Sequence, residues 1–345
     1  MLKVSIFGAS GYTGQELTRI LLGHPEVQLT AVTSRRFAGM AVGEAFPSLY
    51  GLTSLTYQNA TPQEIAVLSD IVFLALPHGV SMDIAPVFLQ AGKKVIDLSA
   101  DYRLRDVKTY EAWYGKHNSE KILKNAVYGI PELYRQEIKK ASLIANPGCY
   151  PTSIILGLAP ALKNKLLDIN TIIANSASGV SGAGREPLIG SLFCEVEGGF
   201  KAYKVGKHRH TPEIEQELNA LAGEKFNISF VPHLLPVKRG ILSTIYATLK
   251  KDITLKQLHE IYFSFYAGEK FVRICPAGSY PDISSVCGSN YCDIGVSIDT
   301  RTKMAIIIAA IDNLIKGAAG QAVQNMNIIC GFAQDSGLRN IPLYP

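Results

Sequence analysis

Seven residues near the start, Gly8-Ala-Ser-Gly11-Tyr-Thr-Gly14, restrict the fold of this chain more than any other stretch. They follow Leu2–Phe7, which reads as a buried strand, and lead into the amphipathic run Gln15–Leu22, which reads as a helix. Glycine at every third position lets a pyrophosphate approach the backbone, and the helix start behind the loop supplies N–H groups for its charge. Gly8, Ser10, Gly11, Tyr12, Thr13 and Gly14 are therefore candidate cofactor ligands. The next strand, Gln28–Thr33, ends in Ser34-Arg35-Arg36, where an NAD site commonly carries an acidic residue for the ribose 2′-hydroxyl. A serine and two arginines suit a 2′-phosphate, so the pattern predicts NADP; a solvated basic turn is the plainer alternative.

Strands and helices continue to alternate. Asp70–Leu76 reads as a buried strand closed by Pro77-His78-Gly79, with Pro77 a further cofactor candidate; a helix Val80–Gln90 and a strand Lys94–Leu98 follow. This rhythm predicts a parallel, doubly wound sheet. It changes after residue 149. Thr171–Ala177, Ile228–Val231, Ile241–Leu249, Cys292–Ile298 and Lys303–Ala310 have strand character and suggest an antiparallel sheet, with a small-residue helix Asp312–Asn325 at the end. The Gly/Ser-rich stretch from Ser178 and Gly179 to Arg185 can bend closely around a ligand, or is simply a flexible loop.

The chemistry centres on Asn146-Pro-Gly-Cys149-Tyr-Pro-Thr152. The stretch predicts a turn between Ser142–Ala145 and a helix that starts near Pro151, is interrupted at Pro160 and reaches Leu167. Such a turn exposes a thiol at the carboxyl edge of a sheet. A helix N-terminus favours the thiolate over a free thiol of pKa about 8.5, and its N–H groups can hold an oxyanion. A buried cysteine is otherwise a small hydrophobe, but Gly148 and two prolines specify more backbone than an apolar turn needs. For acid/base work, Thr211 as N-cap and Pro212 as first residue predict a helix to about Leu221. His210 then lies on the loop entering it, with Glu213 one turn away as an orienting group; a solvated basic loop or a capping histidine would look similar.

The 345 residues, 47% hydrophobic and 18% charged, suffice for two folded domains. The net charge of +5 is spread along the chain without a Lys/Arg block, which argues against a nucleic-acid partner. The strand that begins at Leu2 leaves no room for a signal segment, and the eight apolar residues Met304–Ile311 fall short of the roughly 18 of a membrane span. A cytoplasmic enzyme that works without the membrane is the expectation. The six cysteines show no C-x-x-C spacing, and Cys287 and Cys292 have no histidines nearby, so no metal site is expected.

Gly8–Gly14, NPGCYPT at Cys149, SGVSGAGR at 178–185, HRHTPEIEQ at 208–216, PHLLPVKRGI at 232–241 and NLIKGAAGQAVQN at 313–325 together resemble the N-acetyl-gamma-glutamyl-phosphate reductase family. They span nearly the whole chain in the family's order. Ser153 is a minor departure, since the family often has Gly or Ala there. The resemblance implies a Rossmann domain, 1–148 with 312–345, and an α+β catalytic and dimerisation domain, 149–311, with a mainly antiparallel sheet, assembled as a homodimer or homotetramer. It implies a small acyl-phosphate substrate, attacked by Cys149 and reduced with NADPH, with His210 exchanging protons and no metal. Ser178, Gly179 and Asn313 become cofactor candidates, and Arg103, Arg185, Arg209 and Glu213, with Arg239, substrate candidates, since arginine binds phosphate and carboxylate bidentately. Two alternatives stay open: a reductase of carrier-linked aminoadipyl phosphate, and a non-catalytic NADP sensor.

Overall fold

A computed structural model describes residues 1–343. It contains two compact units: Met1–Pro147 with Ala318–Arg339, and Gly148–Gly317 with a short run from Asn340.

In the first unit the strands are β1 (Leu2–Phe7), β2 (Val27–Thr33), β3 (Tyr57–Gln58), β4 (Ile71–Leu74), β5 (Lys94–Asp97), β6 (Ala126–Tyr128) and β7 (Leu143–Ala145). They form one sheet in the order β3-β2-β1-β4-β5-β7-β6, parallel throughout. Every residue of β4 is buried, as a parallel strand covered on both faces must be. Helices Tyr12–Leu22 and Ser81–Gln90 belong to this unit; Met82, Ala85 and Phe88 of the second pack into the core with Val72, Leu74 and Val95 of the sheet. The first helix starts at Tyr12, three residues before the amphipathic pattern becomes visible, because Gly11 already serves as its N-cap.

The second unit holds β8 (Ile173–Gly179), β9 (Lys201–Ala202), β10 (Ser229–Leu235), β11 (Ile241–Thr248), β12 (Val272–Ile274), β13 (Cys292–Asp299) and β14 (Met304–Ile311) in the order β12-β13-β14-β11-β8-β10-β9. The sheet is mixed: β8 with β10 and β12 with β13 are parallel pairs, and the remaining pairs are antiparallel. β11 alternates buried and half-buried residues along its length. Its buried face looks toward helix Cys149–Lys163, where a Cβ on Gly157 would lie 3.1 Å from Ile245.

That helix departs from expectation at both ends. It begins at Cys149 itself, so Pro151 is its third residue, and it passes through Pro160 to Lys163. A proline has no N–H for the carbonyl four residues back and ordinarily breaks a helix. Here the Tyr266 hydroxyl donates to the Leu156 carbonyl at 2.5 Å and that of Tyr262 donates to Gly157 at 2.8 Å. Both tyrosines lie at the end of a helix-bearing stretch, Leu255–Tyr266, whose contribution no local pattern around Pro160 reveals. The helix after His210 is shifted by one residue, with His210 as N-cap and Thr211 first. The continuous helix expected over 312–325 is instead a π-turn, Ile315–Ala319, followed by an α-helix Gly320–Cys330. The buried Asp312 carboxylate accepts the Leu314 and Ile315 N–H groups at 2.8 and 3.2 Å, and the Asp312 carbonyl accepts that of Gly317 at 2.9 Å.

Candidate active site

In the first unit, the glycine loop is fastened to the end of β2. Thr33 accepts the Gly8 N–H on its hydroxyl and the Ala9 N–H on its carbonyl, at 2.9 and 2.8 Å. Gly8 has φ +91°, and a Cβ there would meet Ala75 and Leu76 within 2.8 Å; a Cβ on Gly14 would collide with the Ala9 backbone. Both positions thus require glycine. Gly11, as N-cap, has no side chain to offer the first N–H groups of that helix, at Tyr12, Thr13 and Gly14. Ser10, Gly11, Tyr12 and Thr13 are half-buried along the same turn. Ser34 is buried and its hydroxyl accepts the Phe37 N–H at 3.2 Å; Arg35 and Arg36 are exposed, the latter 5.4 Å over the Phe37 ring.

Pro77 is exposed in the loop after β4. The Asp101 carboxylate grips that loop, accepting the N–H groups of Gly79 and Met82 at 2.8 and 3.1 Å and the Tyr110 hydroxyl at 2.8 Å. His78 accepts the Ala100 N–H at 3.0 Å. Burial, with the neighbouring Asp101 charge, raises the pKa of Asp97 to about 6. Arg103, open in sequence between ligand and surface charge, is buried and directs Nε to the Asn146 carbonyl and Nη2 to that of Leu98, both at 2.8 Å.

In the second unit, Cys149 is the first residue of its helix and half-buried. The Gly148 N–H just before it donates to the carboxylate of Glu213 at 2.8 Å, and Glu213 is itself buried. A Cβ on Gly317 would lie 2.7 Å from the Cys149 Cβ, so the π-turn forms a wall against the Cys149 side chain. Tyr150 is buried with its ring edge-on to His208 (5.4 Å) and His210 (6.0 Å). Its hydroxyl pairs with that of Tyr203 at 3.0 Å and reaches the His233 carbonyl at 3.3 Å. Burial raises both phenols, Tyr203 to about 12, with the Cys149 charge a smaller cause for each. They therefore remain protonated donors.

His208 and His210 sit edge to face at 4.8 Å, and His208 Nδ1 accepts the His210 N–H at 3.1 Å. Burial, assisted by Lys204 and Arg209, lowers the pKa of His208 to about 4, which keeps it neutral at physiological pH. Of the expected site residues in this unit, Cys149, His210 and Glu213 are thus gathered around the Gly148–Tyr150 turn, while Arg185 and Arg209 are exposed on the flanking loops. Ser178, Gly179 and Asn313 form a second cluster. The Gly179 N–H donates to the Gly240 carbonyl at 2.9 Å, and the Asn313 amide accepts the Gly240 N–H at 2.8 Å and donates to the Ser181 hydroxyl at 2.9 Å. Beside them Arg239 approaches the buried Asp312 carboxylate at 3.5 Å. Asn313 retains a second N–H and a second lone pair for a ligand. Tyr203 and Asp312 carry no sequence signal of their own, while Tyr150, His208 and Gly317 lie within the quoted motifs without a role that local sequence reveals.

The family described as semialdehyde dehydrogenase, NAD binding domain, matches residues 3–141, and semialdehyde dehydrogenase, dimerisation domain, matches residues 149–313. N-acetyl-gamma-glutamyl-phosphate reductases from Desulfotalea psychrophila and Pelotomaculum thermopropionicum are 58% and 55% identical to this chain, covering all of it and 100% and 99% of their own lengths. Among solved structures, aspartate semialdehyde dehydrogenase II from Vibrio cholerae complexed with ASA superposes with TM-score 0.72 at 17% identity, covering 96% of this chain and 98% of that one. Aspartate semialdehyde dehydrogenase with NADP from Candida albicans gives 0.71 at 18% identity over the same shares. These structural likenesses establish the two-domain α/β fold.

Proposed function

Because the chain belongs to the N-acetyl-gamma-glutamyl-phosphate reductase family, we propose that it reduces N-acetyl-gamma-glutamyl phosphate to the 5-semialdehyde, in arginine biosynthesis, through a thioester on Cys149. The observation that carries this reading is the Gly148–Tyr150 turn: a cysteine at the first position of a helix, its preceding N–H held by Glu213, and His210 packed against the adjoining Tyr150 ring.

The Cys149 thiolate attacks the acyl carbon. The bond to the phosphate oxygen breaks, and phosphate leaves with the electron pair. The N–H groups of Cys149 and Tyr150 need acceptors from outside their helix, and Pro151 has none to offer, so these two suit the oxygen that becomes negative. A bound reduced nicotinamide supplies the hydride for the thioester carbon. His210 exchanges the proton at that oxygen and at Sγ while the carbon–sulfur bond breaks and the aldehyde departs. Neutral His208 fixes the His210 backbone without placing a second charge beside it. Arg185, Arg209 and Arg239 are the candidates for substrate phosphate and carboxylate. Glu213, bonded to Gly148, acts by positioning the turn.

The first unit carries the nicotinamide dinucleotide and the second the chemistry. The uncapped helix start at Gly11 and the close approaches at Gly8 and Gly14 fit a pyrophosphate. Exposed Arg35 and Arg36 beside Ser34 favour NADP over NAD, and Asn313, Ser178 and Gly179 of the second unit are the candidates for the nicotinamide end. The half-buried face of β11 and β14, with Leu242, Tyr246, Ile306 and Ile308, is available for a second copy, which makes a homodimer or a homotetramer the expected assembly. Among the described residues no helix is long and apolar enough to cross a membrane.

The test runs the reaction in reverse, with N-acetylglutamate semialdehyde, phosphate and NADP, following NADPH formation. Phosphate-dependent NADPH production that disappears in Cys149→Ser, while cofactor binding persists, is the expected result. Turnover by Cys149→Ser, or silence of the unaltered protein with this substrate, would overturn the proposal.

A further inference from the structure

Three serines, Ser153 of the nucleophile's helix and Ser176 and Ser243 of the sheet that it packs on, are fully buried. Ser176 on β8 and Ser243 on β11 are cross-strand partners, their hydroxyls 2.7 Å apart, and Ser243 is also 2.7 Å from the Ser153 hydroxyl. Ser153 donates to the Tyr150 carbonyl at 3.0 Å. Each hydroxyl has a single proton, so the directions follow: Ser153 gives its proton to the carbonyl and must accept from Ser243, which must in turn accept from Ser176. The chain is one-way and ends on the residue next to Cys149.

Hydroxyls without partners are costly in an apolar core, and a satisfied network specifies a unique geometry. The Tyr150 carbonyl, as a helix residue, already has its ordinary acceptor role four residues on, so the serines add a second donor where none was needed for the helix to form. Tyr150 is consequently held at both ends, its carbonyl by the serine chain and its hydroxyl by Tyr203 and the His233 carbonyl.

We infer that Ser243, the middle member of this chain, is a positioning residue for the reaction: through Ser153 it anchors the Tyr150 peptide to the sheet and thereby sets where Cys149 Sγ and the neighbouring N–H donors point. This rests on Cys149 being the nucleophile. Ser243→Ala and Ser176→Ala remove one oxygen each, and for both the kcat and KM of the reductase, the pH profile of Cys149 alkylation by iodoacetamide (followed by peptide mass spectrometry) and the unfolding midpoint are measured. Expected for Ser243→Ala is a kcat about ten-fold lower, equivalent to about 1.4 kcal/mol of barrier, with KM within about two-fold and a displaced alkylation profile. Ser176→Ala, at the far end, should show a smaller change in the same direction, and it decides the matter should Ser243→Ala fail to fold. A kcat and an alkylation profile unchanged in the folded variants, even with a lower unfolding midpoint, would reduce the serines to packing and overturn the inference. Cys149→Ser assayed alongside separates the two readings, since turnover there removes the nucleophile itself.

Discussion

Gly317→Ala should disable the enzyme while leaving it folded. A Cβ at 317 would stand 2.7 Å from the Cys149 Cβ and 3.1 Å from its Cα. Carbon atoms settle about 3.5–4.0 Å apart, so one partner must retreat by about 1 Å. The π-turn has little freedom to do so: the Gly317 N–H is bonded to the Asp312 carbonyl at 2.9 Å, and the Asp312 carboxylate, fully buried, holds Gly288 and Leu314 at 2.9 and 2.8 Å. The displacement therefore falls on Cys149. Overpacking of this kind costs about 1–3 kcal/mol of stability, and a misplacement of about 1 Å at a reacting centre costs on the order of 100-fold in rate. The assay is kcat and KM in the reverse direction, with a urea melt on the same sample. Gly23→Ala is the control, since a Cβ there meets only the Ile20 carbonyl, at 3.8 Å. A Gly317→Ala enzyme with kcat within about three-fold of the unaltered chain would refute the claim that this wall fixes the nucleophile, because the rate estimate demands far more.

Glu213→Ala leaves the Gly148 N–H without its buried acceptor, a loss of about 1–3 kcal/mol, and should lower kcat at least ten-fold, whereas Glu213→Gln, which can still accept that bond, should retain most activity; steady-state kinetics of both decide it. For His208 the folded pKa, about 4, lies below the ordinary value of 6.5, so the unfolded chain binds the extra proton and stability falls as pH drops through that window. The loss should be about 2 kcal/mol between pH 7 and pH 5. His208→Asn should be free of it, read as the difference between variant and unaltered chain in urea unfolding at the two pH values; Asp97, raised to about 6, acts in the opposite sense but equally in both proteins and cancels. Replacing Arg35 and Arg36 together by alanine should weaken NADP at least ten-fold and leave NAD binding nearly unchanged, since charge-assisted bonds to the 2′-phosphate are lost; equal loss for both cofactors in a fluorescence titration would contradict that assignment.

What could be read from the sequence was whatever one short stretch determines by itself. Gly8, Gly11 and Gly14 announce a strand, a turn and an uncapped helix within a dozen residues, and all three appear as such. The turn at Cys149 is of the same kind. What could not be read depends on partners remote in the chain. Pro160 looks like a helix breaker until Tyr266, about a hundred residues later, donates to the Leu156 carbonyl that it leaves without a donor, with Tyr262 on the neighbouring Gly157 carbonyl. Asp312–Asn325 has the composition of a single helix, and only the buried Asp312 carboxylate, closing on its own backbone, turns its start into a π-turn. Arg103 could equally have been a surface charge, because the Leu98 and Asn146 carbonyls that bury it are recognisable only in the folded unit. The same division runs through the site. Cys149 is conspicuous, yet each atom around it is held from elsewhere: the N–H before it by Glu213, its Cβ by Gly317, the carbonyl after it by Ser153 and, through that, by Ser243 and Ser176. A cysteine on such a turn without those supports would rotate among several staggered χ1 wells. Its reactivity is thus a property of residues 150 to 317 taken together, and substitutions at those supports should act on kcat more than on KM.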